Sequence, residues 1–89
     1  MLQRIREYIR VAAIFGPGPK IRPVWFDWKR QKHTVKEVTY HWRHRTGNDL
    51  ILHYSVTDGH ALYELVYNAT EQVWVLESID ADKSPTTSF

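Results

Sequence analysis

The residues best suited to chemistry in this chain are its five histidines, at positions 33, 41, 44, 53 and 60. Imidazole nitrogens bind metals and transfer protons near neutral pH. Residues three apart on a strand point to opposite faces, so His41 and His44 would not converge, whereas His41 and His53 could be neighbours on adjacent strands. A metal site needs a third ligand, and the arginines around these histidines oppose a cation. We therefore predict no metal site and no cofactor.

Motifs for hydrolysis or phosphoryl transfer do not occur in the sequence. Cysteine is absent, which removes thiolate nucleophiles, zinc–thiolate sites and disulfides. The segment Gly16-Pro17-Gly18-Pro19 cannot cradle a phosphate, because its prolines lack the amide donors of such a loop. We therefore predict that the protein is not an enzyme. A small-ligand site in a barrel mouth lined by Tyr40, Tyr54 and Tyr63 is an open alternative.

Basic and aromatic residues are interleaved in the first half of the chain. Residues 1–45 contain eleven of the twelve Lys and Arg and three acidic residues, a net charge of +8, and the remainder carries −6. This asymmetry indicates an anion-binding surface, or two halves that neutralise each other within one fold. Cations would contact phosphates while bases stack on aromatic rings; the alternative is a solvated face with Trp25 under Lys and Arg stems. The predicted face comprises Arg6, Tyr8, Arg10, Trp25, Lys29, His41 and Arg43.

A second candidate surface is apolar. The last three predicted strands carry apolar residues on both sides, and an open sheet would leave one side in water. The sheet must curl, or the first segment must cover it as a helix, or a partner must cover it. In the last case the chain self-associates as a homodimer through Leu62, Val66, Trp74 and Leu76.

Alternating apolar residues predict the strands that position these side chains. The segment Thr57-Asp58-Gly59-His60 predicts a two-residue hairpin turn, because Asp-Gly supplies the positive φ angles that a type I′ turn requires. A second turn is expected at residues 68–72. The resulting cross-strand pairs are Val56 with Ala61, Tyr54 with Tyr63 and Leu52 with Leu65 around the first turn, and Tyr67 with Val73 and Leu65 with Val75 around the second.

Three further strands are predicted upstream, at about residues 9–15, 24–28 and 33–44. A bulge is expected near Lys36, because Val35 and Val38 are out of phase. Polar residues 43–49 form a loop to the next strand. The first segment also fits the apolar stripe of a helix, so its structure stays open between strand and helix.

Together these elements predict an all-β fold, a six-stranded antiparallel meander curled into a small barrel or sandwich. The alternative is an α+β fold with an N-terminal helix on the sheet. We expect a single domain over residues 1–80 and a flexible tail over 81–89. No apolar run approaches the ~20 residues that cross a bilayer, and the first residues lack the apolar stretch of a secretory signal. We therefore predict a cytoplasmic protein without a membrane partner.

Landmark residues over positions 20–80 resemble those of a known family. They are Pro23-x-Trp25-Phe26-x-Trp28, Val35-x-Glu37-Val38 with Trp42, His53-Tyr54-x-Val56, Tyr63-Glu64-Leu65 and Trp74-x-Leu76-x-x-Ile79-Asp80. The pattern is similar to a small bacterial all-β family of unknown function, found beside or fused to homologues of lesion-bypass (error-prone) DNA polymerases. Lys29 to Lys32 depart from the short Gly-Arg turn common in that family. The resemblance implies an accessory domain whose partner is nucleic acid or a DNA-repair protein.

Overall fold

Seven strands make up most of the computed structural model, which describes residues 1–18 and 20–81. They form one antiparallel sheet in the order β3-β2-β1-β7-β6-β5-β4. The strands are β1 (Leu2–Phe15), β2 (Ile21–Trp28), β3 (Gln31–Thr34), β4 (Glu37–Thr46), β5 (Asp49–Thr57), β6 (Leu62–Asn68) and β7 (Val73–Asp80).

The predicted all-β class is confirmed, with seven strands instead of six. The first segment forms β1, so the helical alternative is wrong. The described residues contain no helix long and apolar enough to span a membrane. From residue 82 onward, the predicted tail lies outside the described residues.

The sheet is curled because its two edge strands are consecutive in the chain. Only Val35 and Lys36 separate β3 from β4. The Val35 amide donates to the carbonyl of Val24 in β2, and the Lys36 amide donates to the carbonyl of Thr57 in β5. These two residues therefore carry the chain from one edge of the sheet to the other. No strand pairing joins β3 to β4 in the described part of the chain, so the sheet does not close into a barrel.

The inner face of the curled sheet forms the core. Ile9 and Val11 of β1 pack against it from the side. Each large apolar side chain that is fully buried stabilises the fold by about 1.5–3 kcal/mol. The curl therefore covers one apolar side of the last strands without a helix. The buried residues are Phe26, Leu52, Tyr54, Val56, Ala61, Tyr63, Leu65, Tyr67, Trp74, Leu76 and Ile79.

The turn between β5 and β6 has four residues, so the predicted two-residue turn is wrong. Thr57 pairs with Leu62 instead of His60. Gly59 has a positive φ of 98°, whereas Asp58 does not, and Asp58 Oδ1 accepts the amides of His60 and Ala61. The observed register therefore differs from the predicted one by two residues. Because side chains alternate every two residues, each one still lies on its predicted face.

Between β6 and β7, the observed register differs from the predicted one by a single residue. This smaller difference has a larger effect on which side chains are buried. Tyr67 pairs with Trp74 instead of the predicted Val73. Asn68 Oδ1 accepts the amides of Thr70 and Glu71, which shapes a four-residue turn. A shift of one residue exchanges the two faces of a strand. Trp74 and Leu76 are therefore core residues, 9% and 0% exposed, and the prediction that they lie outside is wrong.

Candidate nucleic-acid interface

β4 is an edge strand that reaches solvent on both faces. Every residue from 39 to 46 is exposed. The chain passes between two strands at Lys36, where a bulge is expected, and the bulge lies instead at Thr39. It shifts the register between Val38 and Tyr40 and turns Tyr40 away from the core. The predicted loop at residues 43–49 is instead a tight hairpin, in which Thr46 pairs with Asp49. A positive φ of 61° at Gly47, with none at Asn48, fits a type II′ turn.

A basic groove follows the inner side of β4. Its wide end is a cleft of about 490 Å³ between the β1–β2 hairpin and β4, where Ile21, Val38 and Tyr54 supply much of the apolar lining. The groove continues past Leu52 to Leu50. None of the described residues that line it is Asp or Glu. We call this feature the β4 groove, and its basic residues are Lys20, Arg22, His41, Arg43 and Arg45.

Ion pairing distinguishes the groove from the rest of the basic surface. On β1, Arg10 Nε donates to Asp27 Oδ2 at 2.9 Å, and Arg6 Nε lies 3.2 Å from Glu77 Oε2. In the described part of the chain, no ion pair within 4.0 Å involves Lys20, Arg22, Arg43 or Arg45. The positive potential of the groove is therefore not neutralised locally, whereas that of β1 is.

Two exposed aromatic rings project from β4 on the face opposite Arg43 and Arg45. Tyr40 and Trp42 are 63% and 40% exposed. The Trp42 ring stacks on His53, with centroids 4.3 Å apart and planes within 5°. The Tyr40 ring lies 5.4 Å from Trp42, and Trp42 also lines the groove. His53 thus holds Trp42 in a defined orientation as a flat apolar surface on the face of β4 opposite Arg43 and Arg45.

Tyr54 is the aromatic floor of the groove. The His41 ring lies above it, with centroids 6.3 Å apart and planes within 17°. Burial raises the pKa of Tyr54, and the neighbouring Tyr67 raises it further. The hydroxyl therefore stays neutral at ordinary pH and can donate a hydrogen bond to an anion.

The predicted basic and aromatic face is divided between the two faces of the curled sheet. Arg6, Tyr8, Arg10 and Trp25 share the outer face of β1 and β2. Here Arg10 lies over the Trp25 ring, with its guanidinium carbon 5.7 Å from the centroid. Lys32 Nζ lies 4.9 Å from the same centroid, so Trp25 packs under basic side chains as in the alternative interpretation.

His41 and Arg43 belong to the β4 groove instead, and the prediction that they join the face of Arg10 is wrong. The chain leaves β2 after Thr34, and β4 pairs with β5 at the opposite edge of the sheet. Lys29 lies in the β2–β3 turn, with its Nζ 4.8 Å from the centroid of Trp28. The predicted face therefore does not exist as one surface.

The predicted self-association surface is divided as well. Leu62 and Val66 are half-buried on the outer face of β6. Trp74 and Leu76 point to the inner face and pack in the core. These four residues do not form one exposed apolar patch.

Sequence reasoning missed the contribution of Lys20, Arg22, Trp42 and Arg45 to the site. The signal that predicts part of it is Gly47-Asn48, a dipeptide typical of two-residue hairpins. It places Arg45 opposite Leu50 and Trp42 opposite His53. Lys20 and Arg22 approach β4 because the sheet curls, and no local pattern in the sequence predicts that curl.

Comparisons with known proteins identify no relative of this chain. A scan against protein-family models finds no match, and searches of curated proteins and of solved structures find no significant similarity.

Proposed function

We propose that the protein is a non-enzymatic accessory domain that binds single-stranded nucleic acid along the β4 groove. The observation that carries this proposal is the row of basic side chains, free of neighbouring carboxylates, above an aromatic floor. Lys and Arg bind phosphates and release the counterions condensed on them. Tyr40 and Trp42, which are exposed on the other face of this edge strand, offer flat surfaces on which bases of any sequence can stack.

The dimensions of the groove favour a single strand over a duplex. Alternate residues of a strand lie about 6.6–6.8 Å apart, a spacing comparable with that of successive phosphates in an extended single strand. His41, Arg43 and Arg45 have this alternate arrangement along β4. The cleft of about 490 Å³ admits an unstacked nucleotide but not a duplex. Bases are free to stack on aromatic side chains only when they are unpaired.

The proposed partner enzyme is a nucleic-acid-processing protein, and the proposed location is the bacterial cytoplasm. Support for both comes from the resemblance of residues 20–80 to the family associated with lesion-bypass polymerases, and from the absence of cysteine. The groove itself supports the binding of nucleic acid.

Fluorescence anisotropy with labelled oligothymidylate and oligouridylate at low salt tests the proposal. We expect the double substitution Arg43→Ala with Arg45→Ala to weaken binding at least about tenfold. The slope of log affinity against log salt should become shallower by about 0.7 for each phosphate that the variant no longer neutralises. The matched control, Arg6→Ala with Arg10→Ala, removes two arginines that are paired with carboxylates and should change affinity far less.

Two results would contradict the proposal. One is the absence of binding by the unmodified chain to both oligonucleotides at low salt. The other is an equal loss of affinity in the two double variants, since that would indicate a nonspecific effect of net charge.

A further inference from the structure

Four polar side chains form a hydrogen-bonded row on the outer face of β4, β5 and β6, next to Trp42. Thr46 Oγ1 lies 3.4 Å from His44 Nδ1, and His44 Nε2 lies 3.0 Å from His53 Nε2. His53 Nδ1 lies 3.1 Å from Glu64 Oε2. The two imidazole rings are within 25° of coplanar, with centroids 5.0 Å apart, so they meet nearly edge to edge.

Hydrogen-bond chemistry sets the proton positions along this row. Ionised Glu64 can only accept, so His53 donates from Nδ1 and leaves a lone pair on Nε2. His44 must then donate from Nε2, and its Nδ1 accepts from the Thr46 hydroxyl. With both rings neutral, every donor has an acceptor. The row therefore presents one unprotonated Nε2, on His53, directly opposite a second Nε2 that carries an exchangeable proton.

We propose that His44 and His53 bind a divalent transition-metal ion between their two Nε2 atoms. His53 already presents a free lone pair. His44 needs only to transfer its proton from Nε2 to Nδ1, where the Thr46 oxygen can accept the hydrogen bond. Glu64 orients the His53 ring through the contact to Nδ1, as carboxylates do behind metal-binding histidines.

The separation of the two nitrogens selects the kind of metal. With metal–nitrogen bonds of about 2.0–2.1 Å, the Nε2–Nε2 distance of 3.0 Å corresponds to an angle of roughly 90–97° at the metal. This is the angle between neighbouring ligands of tetragonal Cu(II) or Ni(II), whereas tetrahedral zinc requires a wider one. Cu(II) also forms the most stable complexes with imidazole among these ions.

The surroundings of the pair are compatible with a cation. Arg43 and Arg45 alternate with His44 on β4 and so project from the opposite face of the strand. Among residues 1–18 and 20–81, no group of three or more His, Cys, Asp and Glu side chains is arranged to hold a metal. Within that part of the chain, the two imidazoles are therefore the protein ligands of the proposed site. The site adjoins the β4 groove, because His44 also borders the groove next to Arg45 and Trp42 stacks on His53. The proposal does not depend on nucleic-acid binding, since its evidence is the arrangement of His44, His53 and Glu64.

Isothermal titration of tag-free protein with Cu(II), Ni(II) and Zn(II) salts tests the site. We expect the affinity to decrease in the order Cu(II), Ni(II), Zn(II). His44→Ala and His53→Ala should each abolish the tightest binding event, and Glu64→Gln should weaken it about 10- to 100-fold. His41→Ala, which removes a histidine from the other face of β4, is the matched control and should leave it unchanged. Circular dichroism confirms that each variant is folded.

Electron paramagnetic resonance of the Cu(II) complex supplies a second measurement. Nitrogen hyperfine structure from two equivalent imidazoles is expected in the unmodified chain. Binding retained in both histidine variants, or a spectrum with fewer than two imidazole nitrogens, would overturn the proposal. Arg43→Ala with Arg45→Ala should leave metal binding intact, which separates this result from that of the groove.

Discussion

The Tyr63 hydroxyl donates a hydrogen bond of 2.8 Å to Asp58 Oδ2, while Asp58 Oδ1 caps the turn between β5 and β6. His33 of β3 lies 3.3 Å from the same Oδ2, and its ring stacks on the buried Phe26. Side chains thus connect β3, at one edge of the sheet, to the β5–β6 hairpin. This contact, together with the hydrogen bond from the Lys36 amide to the Thr57 carbonyl, holds the curl between strands that do not pair with each other in the described residues.

Asp58→Asn should reduce the acid sensitivity of the fold. Burial alone would raise the pKa of Asp58, but hydrogen bonds from the His60 amide, Tyr63, the Ala61 amide and His33 outweigh it and lower the pKa. The unfolded chain then binds this proton more readily than the folded one. The stabilisation is complete above the ordinary aspartate pKa of about 4 and is lost as the pH falls through the lower folded value.

Urea denaturation at a series of pH values between neutral and strongly acidic measures this effect. Asp58→Asn should be less stable than the unmodified chain at neutral pH, and the difference should shrink as the pH falls below about 4. Stability curves that stay parallel over the whole range would show that Asp58 is not the responsible group.

Arg30→Gly should stabilise the protein. Lys29 and Arg30 form the two-residue turn between β2 and β3 with positive φ values of 52° and 62°, a conformation that side chains with a Cβ adopt at a cost. Glycine at the second position should raise the free energy of unfolding by about 1 kcal/mol. Arg30→Ala removes the same charge but keeps the Cβ, so it should give no such gain. A denaturation midpoint that rises equally in both variants would contradict the explanation.

Trp74→Ala and Val75→Ala should differ strongly in stability, because the register between β6 and β7 buries one and half-exposes the other. Loss of a buried tryptophan costs about 3–5 kcal/mol. The half-buried valine should cost about 1 kcal/mol. Thermal or urea denaturation measures both losses of stability. A larger loss in Val75→Ala than in Trp74→Ala would indicate the alternative register, in which Val75 faces the core.

Trp42→Leu should weaken oligonucleotide binding with little effect on stability, since the residue borders the groove and its ring is exposed on the edge strand β4. Loss of one base–aromatic stack costs about 1–3 kcal/mol, or about 5- to 150-fold in affinity. Trp25→Leu is the matched control, because its ring lies on the β1–β2 face. Anisotropy titrations compare the two variants, and equal losses would argue against stacking at β4.

Alternation of apolar residues predicted most of the strands but merged β3 and β4 into one, and turns decided which side chains face the core. An error of two residues at Thr57 had no effect on the faces, because alternation repeats every two residues. An error of one residue at Tyr67 placed Trp74 and Leu76 outside. The length of that turn depends on the Asn68 side chain and on a positive φ of 61° at Gln72. Glutamine rarely adopts this conformation, so composition does not predict it.

The candidate site was only partly predictable for a different reason. Strand alternation predicts His41 and Arg43 as anion-binding residues, but it assigns them to the wrong neighbours. The break at Val35 and Lys36 separates β3 from β4 and sends the latter to the far edge of the sheet. Strand order is set by long-range pairing, for which local patterns carry no information.

The pairing of β1 with β7 has a consequence for how the molecule is made. Leu2 pairs with Asp80, so the centre of the sheet forms only after β7 has left the ribosome. Contacts between such distant segments carry a large loop-closure entropy and slow the folding reaction. Until then Ile5, Ile9 and Val11 lack the surface that half-buries them. We expect the nascent chain to depend on chaperones or on rapid release to avoid aggregation during synthesis.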